Sequence, residues 1–157
     1  MADANTASDR TLKVSVVTPE GAAYEGTATH IVVPAFDGEM AFYPMHAPFV
    51  GVLGYGELRV SRPDGDVETF YLAGGVAQIA DDALTILAER VTPTADLSVD
   101  EAEAALAEAL GTKAEGEVEI DARLEAMDDA RSRLRTATRA KERGALSATE
   151  TVSQPVE

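Results

Sequence analysis

Apolar and polar residues alternate from the start of the readable chain. In "LKVSVV", Leu12, Val14 and Val16 share one phase, the pattern of a strand with one buried face. "THIVVP" and "MAFYP" follow after glycine-containing turns and read the same way. "GELRVS" and "VETFYLAG" are separated by "RPDGD", in which Asp64-Gly65 is the dipeptide favoured by a tight two-residue hairpin turn. "VAQIA" and "ALTILAERV" flank Asp81-Asp82, a second hairpin, with Ala77 and Ile79 on the phase opposite Val76, Gln78 and Ala80. Strands recurring at roughly ten-residue intervals with turn chemistry between them predict an antiparallel sandwich or barrel, and the sandwich is the favoured form.

After "TPTAD" the periodicity changes from two to that of a helix, and alanine and glutamate take over. Ser98 can cap a helix start while Glu101, three residues on, reaches back to it. Val99, Ala102, Leu106, Ala109 and Leu110 make a thin apolar stripe, and Gly111 is placed to end the helix in a left-handed cap. "TKAEGEVE" reads as a turn. A second helix is predicted from about Glu119 or Ile120 to Arg143, with Gly144 as its stop. Ile120, Leu124, Met127 and Leu134 are its expected seam, interrupted by Arg131.

The expected organisation is therefore a flexible start over 1–10, a β-sandwich over 11–95, a helical hairpin over 96–143 and a disordered tail over 144–157. The fold class is β + α, an N-terminal antiparallel β-sandwich followed by a C-terminal antiparallel two-helix hairpin. Two thin stripes bury little against each other, so such a hairpin is expected to be mobile or to depend on a partner.

Charge narrows the choice of partner. The 157 residues carry a formal net charge of -15. A sequence-independent grip on nucleic acid needs a surplus of lysine and arginine to displace counterions, and anionic lipid is disfavoured for the same reason. No apolar run approaches the roughly 18 residues that span a bilayer, so membrane association is expected to come through a partner. "MADANTASDRT" leads into no apolar segment and does not resemble a signal or transit peptide. The chain holds no cysteine, which removes disulfides and thiolate metal sites.

The charge is also uneven. Residues 96–129 hold twelve acids and two bases, whereas 130–143 hold six bases and one acid. The basic end complements the C-terminal pole of a helix dipole. Arg131, Arg135 and Arg139, four residues apart, also form a row on one helix face that suits docking.

No catalytic constellation can be assembled. His30 and His46 are the only histidines. His30 lies in a strand pattern beside Ile31, Val32 and Val33, where it reads as a strand-face residue without a special role. The "GYG" at 54–56 leads into a strand and lacks the helix N-terminus that would cradle phosphate. These glycines, like Gly74-Gly75, read as backbone bends. His46 stands out because "YPMHAPFV" places it between Pro44 and Pro48, a stiff connector that presents its ring in a set direction.

"DGEMAFYPMHAPFVGVL", "GELRV", "FYLAGGVAQIADDALTILAE" and the alanine-rich hairpin after them resemble, in order and spacing, the epsilon subunit of F-type ATP synthases. The resemblance spans about residues 11–143. It departs at Ala41, where the family usually has glycine.

It implies a non-catalytic rotor subunit of the central stalk, without a cofactor. The sandwich would pack on gamma and stand on the ring of c subunits, coupling ion-driven rotation to catalysis. Carried onto this chain, Glu39 and His46 match ring-contacting positions, with Met45 and Ala47 beside them. The hairpin would lie folded or extend toward the alpha/beta catalytic hexamer, where the extended form blocks ATP hydrolysis. Arg131, Arg133, Arg135 and Arg139, with Lys141 and Arg143, would then face an acidic segment of beta. The implied location is peripheral, on the cytoplasmic face of the bacterial inner membrane.

Some members bind ATP through an isoleucine or leucine, an aspartate, two residues, then arginine and alanine. Here Ile120-Asp121 begins the pattern but Arg123 falls one position early, about 100° off around a helix, so ATP binding is expected to be weak or absent. A free-standing sandwich adaptor, a nucleotide sensor acting through the hairpin and a hydrolase using His46 are the rival readings.

Overall fold

The computed structural model describes residues 10–152, with side chains through residue 147. Residues 1–9 of the expected flexible start and 153–157 of the expected tail lie outside the described residues. The chain divides into two compact units that meet in sequence at Pro93 and Thr94.

The first unit is one seven-stranded sheet. Its strands are β1 (Leu12–Thr18), β2 (Gly21–Ala28), β3 (His30–Ala35), β4 (Gly38–Phe42), β5 (Phe49–Ser61), β6 (Val67–Ala80) and β7 (Ala83–Pro93). They lie in the order β2-β1-β7-β6-β5-β3-β4. Every pairing is antiparallel except β1 with β7, which is parallel and places Val14 beside Leu84 and Val16 beside Ile86. The sheet is thus mostly antiparallel, as expected, with this one parallel pairing added. No short turn joins β1 to β7, so their relative direction is free, and it follows the match of their buried faces.

The sheet becomes a sandwich by folding over its three long strands. On β5 the inward side chain is Leu53 before the bend and Leu58 and Val60 after it, a change from odd to even positions. β6 changes from Phe70 and Leu72 to Ala77 and Ile79, and β7 from Leu84, Ile86 and Ala88 to the half-buried Val91. All three switches occur in one transverse row, where the ladder skips Gly54, Gly74 and Glu89. An unpaired residue in each strand swaps the face that points inward, which is how a continuous sheet supplies both layers of one core. Gly74 and Gly75 have φ of 65° and 147°, values that glycine tolerates. A Cβ on Gly75 would also collide with the Leu87 carbonyl.

Both layers contribute to the core, with Leu12, Val14, Val16, Leu84 and Ile86 meeting Ile31, Val33, Phe42, Leu58 and Leu72. Each such side chain removed from water contributes about 1.5–3 kcal/mol.

The turns differ in kind. Asp81 and Asp82 both have positive φ, 50° and 58°, between the paired Ala80 and Ala83, a two-residue turn of the mirror-image type suited to strand twist. The expected two-residue turn at Asp64-Gly65 is instead a five-residue loop over 62–66. Its Gly65 N–H donates to the Arg62 carbonyl, and Gly65 carries a φ of 92°. Pro63 sets the first central position of that turn, so the left-handed residue falls one place later than in a two-residue loop.

The second unit starts with a 3-10 turn at Thr94–Asp96, followed by α1 (Val99–Gly111) and α2 (Glu117–Val152). The Ser98 hydroxyl accepts from the Glu101 N–H at 3.3 Å and caps α1. At the other end Gly111 is still helical, and Thr112 closes the helix in extended geometry with its N–H on the Glu108 carbonyl. The expected left-handed cap at Gly111 is thus corrected; the positive φ, 125°, belongs to Gly116. α2 also passes through Gly144 as far as Val152, so the expected stop at Gly144 is corrected. A lone glycine weakens a helix by about 1 kcal/mol without ending it, and among the described residues no left-handed one follows to cap it.

The packed face is the other surprise. Buried positions are Ala102 and Ala109 on α1, with Ala130, Ser132, Thr136 and Ala137 on α2. Of the predicted α2 seam, Ile120 and Leu124 are 45% and 53% exposed, while Met127 and Leu134 are half-buried. Small residues let two helices approach closely, and this hairpin spends its alanines on the contact and leaves larger residues outside.

Candidate functional site

Three groups of residues were singled out by the sequence: the 43–48 loop with Glu39, the arginine row of α2, and Ile120, Asp121 and Arg123. The loop is built on a turn from Tyr43 to His46, closed by the His46 N–H on the Tyr43 carbonyl at 3.2 Å. Pro44 sets the first central φ and Met45 takes the second at 65°, a position that glycine favours. Two contacts hold Met45 there. Its N–H donates to Asp82 Oδ1 at 2.5 Å, and the Arg10 guanidinium meets its Sδ.

His46 is half-buried. Its ring lies edge-on to Phe42 at 5.1 Å and to Phe49 at 6.4 Å. Nδ1 lies 2.7 Å from the Ala47 carbonyl. A carbonyl only accepts, so Nδ1 carries a proton in this contact. The prolines therefore fix the imidazole over an aromatic floor, while Met45 and Ala47 on either side are exposed. His30 stacks on Tyr43, the first residue of this turn, at 5.2 Å, with Ser61 Oγ 3.1 Å from its Nε2.

Glu39 does not join the loop. It lies three residues before Phe42 on β4, about 10 Å away along the strand. There it forms a two-point ion pair with Arg59, at 2.9 and 3.1 Å. These bonds raise the Arg59 pKa further above its ordinary value, partly opposed by desolvation. The expected contact residues thus fall into two places, Glu39 on one side and Met45, His46 and Ala47 on the other.

The most distinctive surface was not foreseen. Val52 on β5, Val76 on β6 and Leu87 on β7 lie in one register row and are 75%, 39% and 57% exposed. Val17 of β1 extends the row beside Leu87, and Val50 is exposed two residues from Val52. A contiguous apolar row on the outer face of a sheet is the kind of surface on which another protein can pack. The signal was present in "FVGVL" and "ALTILAERV", where apolar residues fall on both phases of a strand.

In the second unit Arg131, Arg135 and Arg139 are exposed on a common face. Arg133 differs: it is paired with Asp129 at 2.9 Å, one turn earlier on another side of the helix. Ile120 and Asp121 are exposed, and Arg123 turns to α1, donating to the Ala109 and Leu110 carbonyls at 3.3 and 2.9 Å. It acts as a cap from outside for carbonyls that the end of a helix leaves without partners. No described helix is long and apolar enough to cross a membrane, and no described group of three or more His, Cys, Asp or Glu is placed to hold a metal ion.

The first unit is thus a folded-over sandwich with an apolar outer row, and the second a capped helical hairpin. Residues 11–94 match the family model described as the ATP synthase delta/epsilon chain β-sandwich domain. The chain is 40% identical over 99 residues to the ATP synthase epsilon chain of Rhodopirellula baltica, covering 63% of this chain and 77% of the relative. It is 31% identical over 128 residues to the epsilon chain of Granulibacter bethesdensis, covering 79% and 95%. Among solved structures it is similar to a chain of the Euglena gracilis mitochondrial ATP synthase OSCP/F1/c-ring assembly, with a TM-score of 0.70, 18% identity and 78% of each chain covered. A chain of the Tetrahymena thermophila mitochondrial ATP synthase central stalk and c-ring gives 0.65 at 15% identity, covering 82% of this chain and 97% of that one. The protein belongs to the F-type ATP synthase epsilon chain family.

Proposed function

We propose that the protein is a non-catalytic central-stalk subunit that couples ion-driven rotation of the c-ring to catalysis through gamma. The observation that carries this reading is the exposed row of Val52, Val76 and Leu87, flanked by Val17 and Val50, a face suited to an apolar surface of gamma. Glu39 and the Met45-His46-Ala47 turn are the groups proposed to meet the c-ring, with the turn stiffened by Pro44, Pro48 and the Asp82 carboxylate. The subunit would be peripheral, on the cytoplasmic face of the inner membrane, held there by its partners.

The hairpin is proposed as the brake on ATP hydrolysis. Arg131, Arg135 and Arg139 supply an exposed basic row for an acidic segment of beta, and Arg133 would join them only after leaving Asp129. Arg123 is occupied at the end of α1, which supports weak or absent ATP binding by the hairpin.

The test is assembly with gamma. Val52→Asp and Leu87→Asp place charges on exposed sites, so the isolated chain should melt near the parent temperature, while co-purification with gamma should be lost. A variant that keeps gamma while carrying both charges would refute this docking face.

A further inference from the structure

Arg59 on β5 spans the intervening strand β3 to reach Glu39 on β4. In the pairing registers Arg59 lies opposite Val32, and Glu39 lies opposite Pro34, so the guanidinium crosses two strand spacings, about 10 Å. Only a long side chain closes that gap. The contact is a fork, with Nη2 on Oε2 at 2.9 Å and Nη1 on Oε1 at 3.1 Å. The same Nη1 lies 3.4 Å from Glu57 Oε1, two residues earlier on the same face of β5.

The exposures of these side chains form a gradient: Glu57 2%, Arg59 29%, Glu39 46%. Glu57 is the buried anchor, Arg59 the arm and Glu39 the exposed tip. A glutamate on an edge strand samples several rotamers, and ordering it on contact with a partner costs binding free energy. A fork from Arg59 settles its orientation beforehand. It also leaves lone pairs on both Glu39 oxygens, because a carboxylate offers about four acceptor sites and the fork uses two.

We propose that Arg59 is the positioning residue for Glu39, anchored by Glu57 and holding the carboxylate at the sheet edge in the orientation in which it meets the c-ring. This rests on the reading of Glu39 as a ring contact. Lysine is a poor substitute in this role, since a point charge cannot make the planar two-point contact.

The experiment measures protons pumped per ATP hydrolysed by assembled synthase containing the full chain. The variants are Glu39→Gln, Arg59→Gln, the double variant, Arg59→Lys and Glu57→Gln, each with a melting temperature for the isolated full chain. Arg59→Gln should lower the pumping ratio as far as Glu39→Gln does, the double variant should be no lower than either, and Arg59→Lys should fall between. Glu57→Gln should increase the motion of the Arg59 Nε–Hε group seen by NMR relaxation and lower the ratio in step. A purely structural Arg59 would change the melting temperature without this non-additive pattern.

A parental ratio for Arg59→Gln beside a lowered one for Glu39→Gln would overturn the proposal and leave Glu39 as an unaided ring contact. Additive losses would overturn it as well. A parental ratio for Glu39→Gln would remove the reading of Glu39 and the proposal together. Should Arg59→Gln fail to assemble, Arg59→Lys and Glu57→Gln decide the matter by the same comparison.

Discussion

The Met45 N–H donates to the Asp82 carboxylate at 2.5 Å, tying the loop between β4 and β5 to the turn between β6 and β7. Both partners sit at positive φ, 65° for Met45 and 58° for Asp82. Asp82 also uses its carbonyl, which accepts from the Lys13 N–H at 2.8 Å and secures β1. One residue therefore joins three segments at this end of the sheet.

Its side-chain share can be isolated. Asp82→Gly retains the left-handed turn and the Lys13 bond but removes the acceptor for Met45. Loss of a bond to a charged group costs about 1.5–3 kcal/mol, and relief of the aspartate's backbone strain returns part of it, so a net loss of about 1 kcal/mol is expected. Asp82→Asn, which keeps an acceptor oxygen and tolerates the turn, should lose less. Thermal unfolding gives the stability and amide exchange at Met45 gives the locality. An unchanged exchange rate at Met45 in the glycine variant would contradict the assignment.

How much of this could be read in advance depended on range. Alternation located Leu12, Val14 and Val16 on one buried face and separated Ala77 and Ile79 from Val76 and Gln78, because a strand's side-chain period is local. The Ser98 cap was legible for the same reason. The parallel pairing of β1 with β7 was not, since no turn residue encodes the direction of strands so far apart in sequence. In the hairpin, Ala102 and Ala109 of the expected α1 stripe are buried, but on α2 Ala130 and Ala137 are buried in place of the expected seam, of which Met127 and Leu134 are half-buried and Ile120 and Leu124 exposed. Hydrophobicity ranks alanine low, and close approach between helices reverses that ranking. At the candidate site the stiff presentation of His46 was visible in its prolines. The Phe42 and Phe49 floor, the Arg59 fork and the Val52–Val76–Leu87 row required the register of several strands.

Two glycine substitutions should act in opposite directions. Gly75→Ala places a Cβ against the Leu87 carbonyl at a φ of 147°, so backbone strain and a clash combine. A loss of about 3 kcal/mol or failure to fold is expected, since a backbone atom cannot move aside cheaply. Gly144→Ala meets open space within a continuous helix. It should raise helix content and favour the helix by about 1 kcal/mol. Circular dichroism of the full chain separates the outcomes. A fall in helicity for Gly144→Ala would mean that the helix ends there after all.

Arg123 ties the start of α2 to the end of α1 through the Ala109 and Leu110 carbonyls. Its positive charge also meets the negative pole of the α1 dipole. Arg123→Ala should weaken the last turn of α1 by about 0.5–1 kcal/mol, a modest value because the contact is partly solvated. Hydrogen exchange should rise at Thr112, whose N–H bonds the Glu108 carbonyl in that turn. Exchange in β1 should stay unchanged. Faster exchange throughout the chain would point to a global role and not to a cap.

Truncation tests whether coupling and inhibition reside in separate units. The chain divides at Pro93 and Thr94, and the exposed apolar row, Glu39 and the His46 turn all precede that point. The basic row of Arg131, Arg135 and Arg139 follows it. Assembled synthase with a chain ending at Asp96 should therefore hydrolyse ATP faster than with the full chain while pumping the same number of protons per ATP. The proper comparison is with Arg131→Gln, Arg135→Gln and Arg139→Gln combined in the full chain. If the row meets acidic groups on beta, that triple variant should release hydrolysis nearly as far as truncation does, and added salt should narrow the difference between them by screening exposed charges. Release by truncation alone would assign the brake to the bulk of the hairpin and leave the arginines as stabilisers of the helix dipole. No release from either variant would leave this hairpin without a braking role.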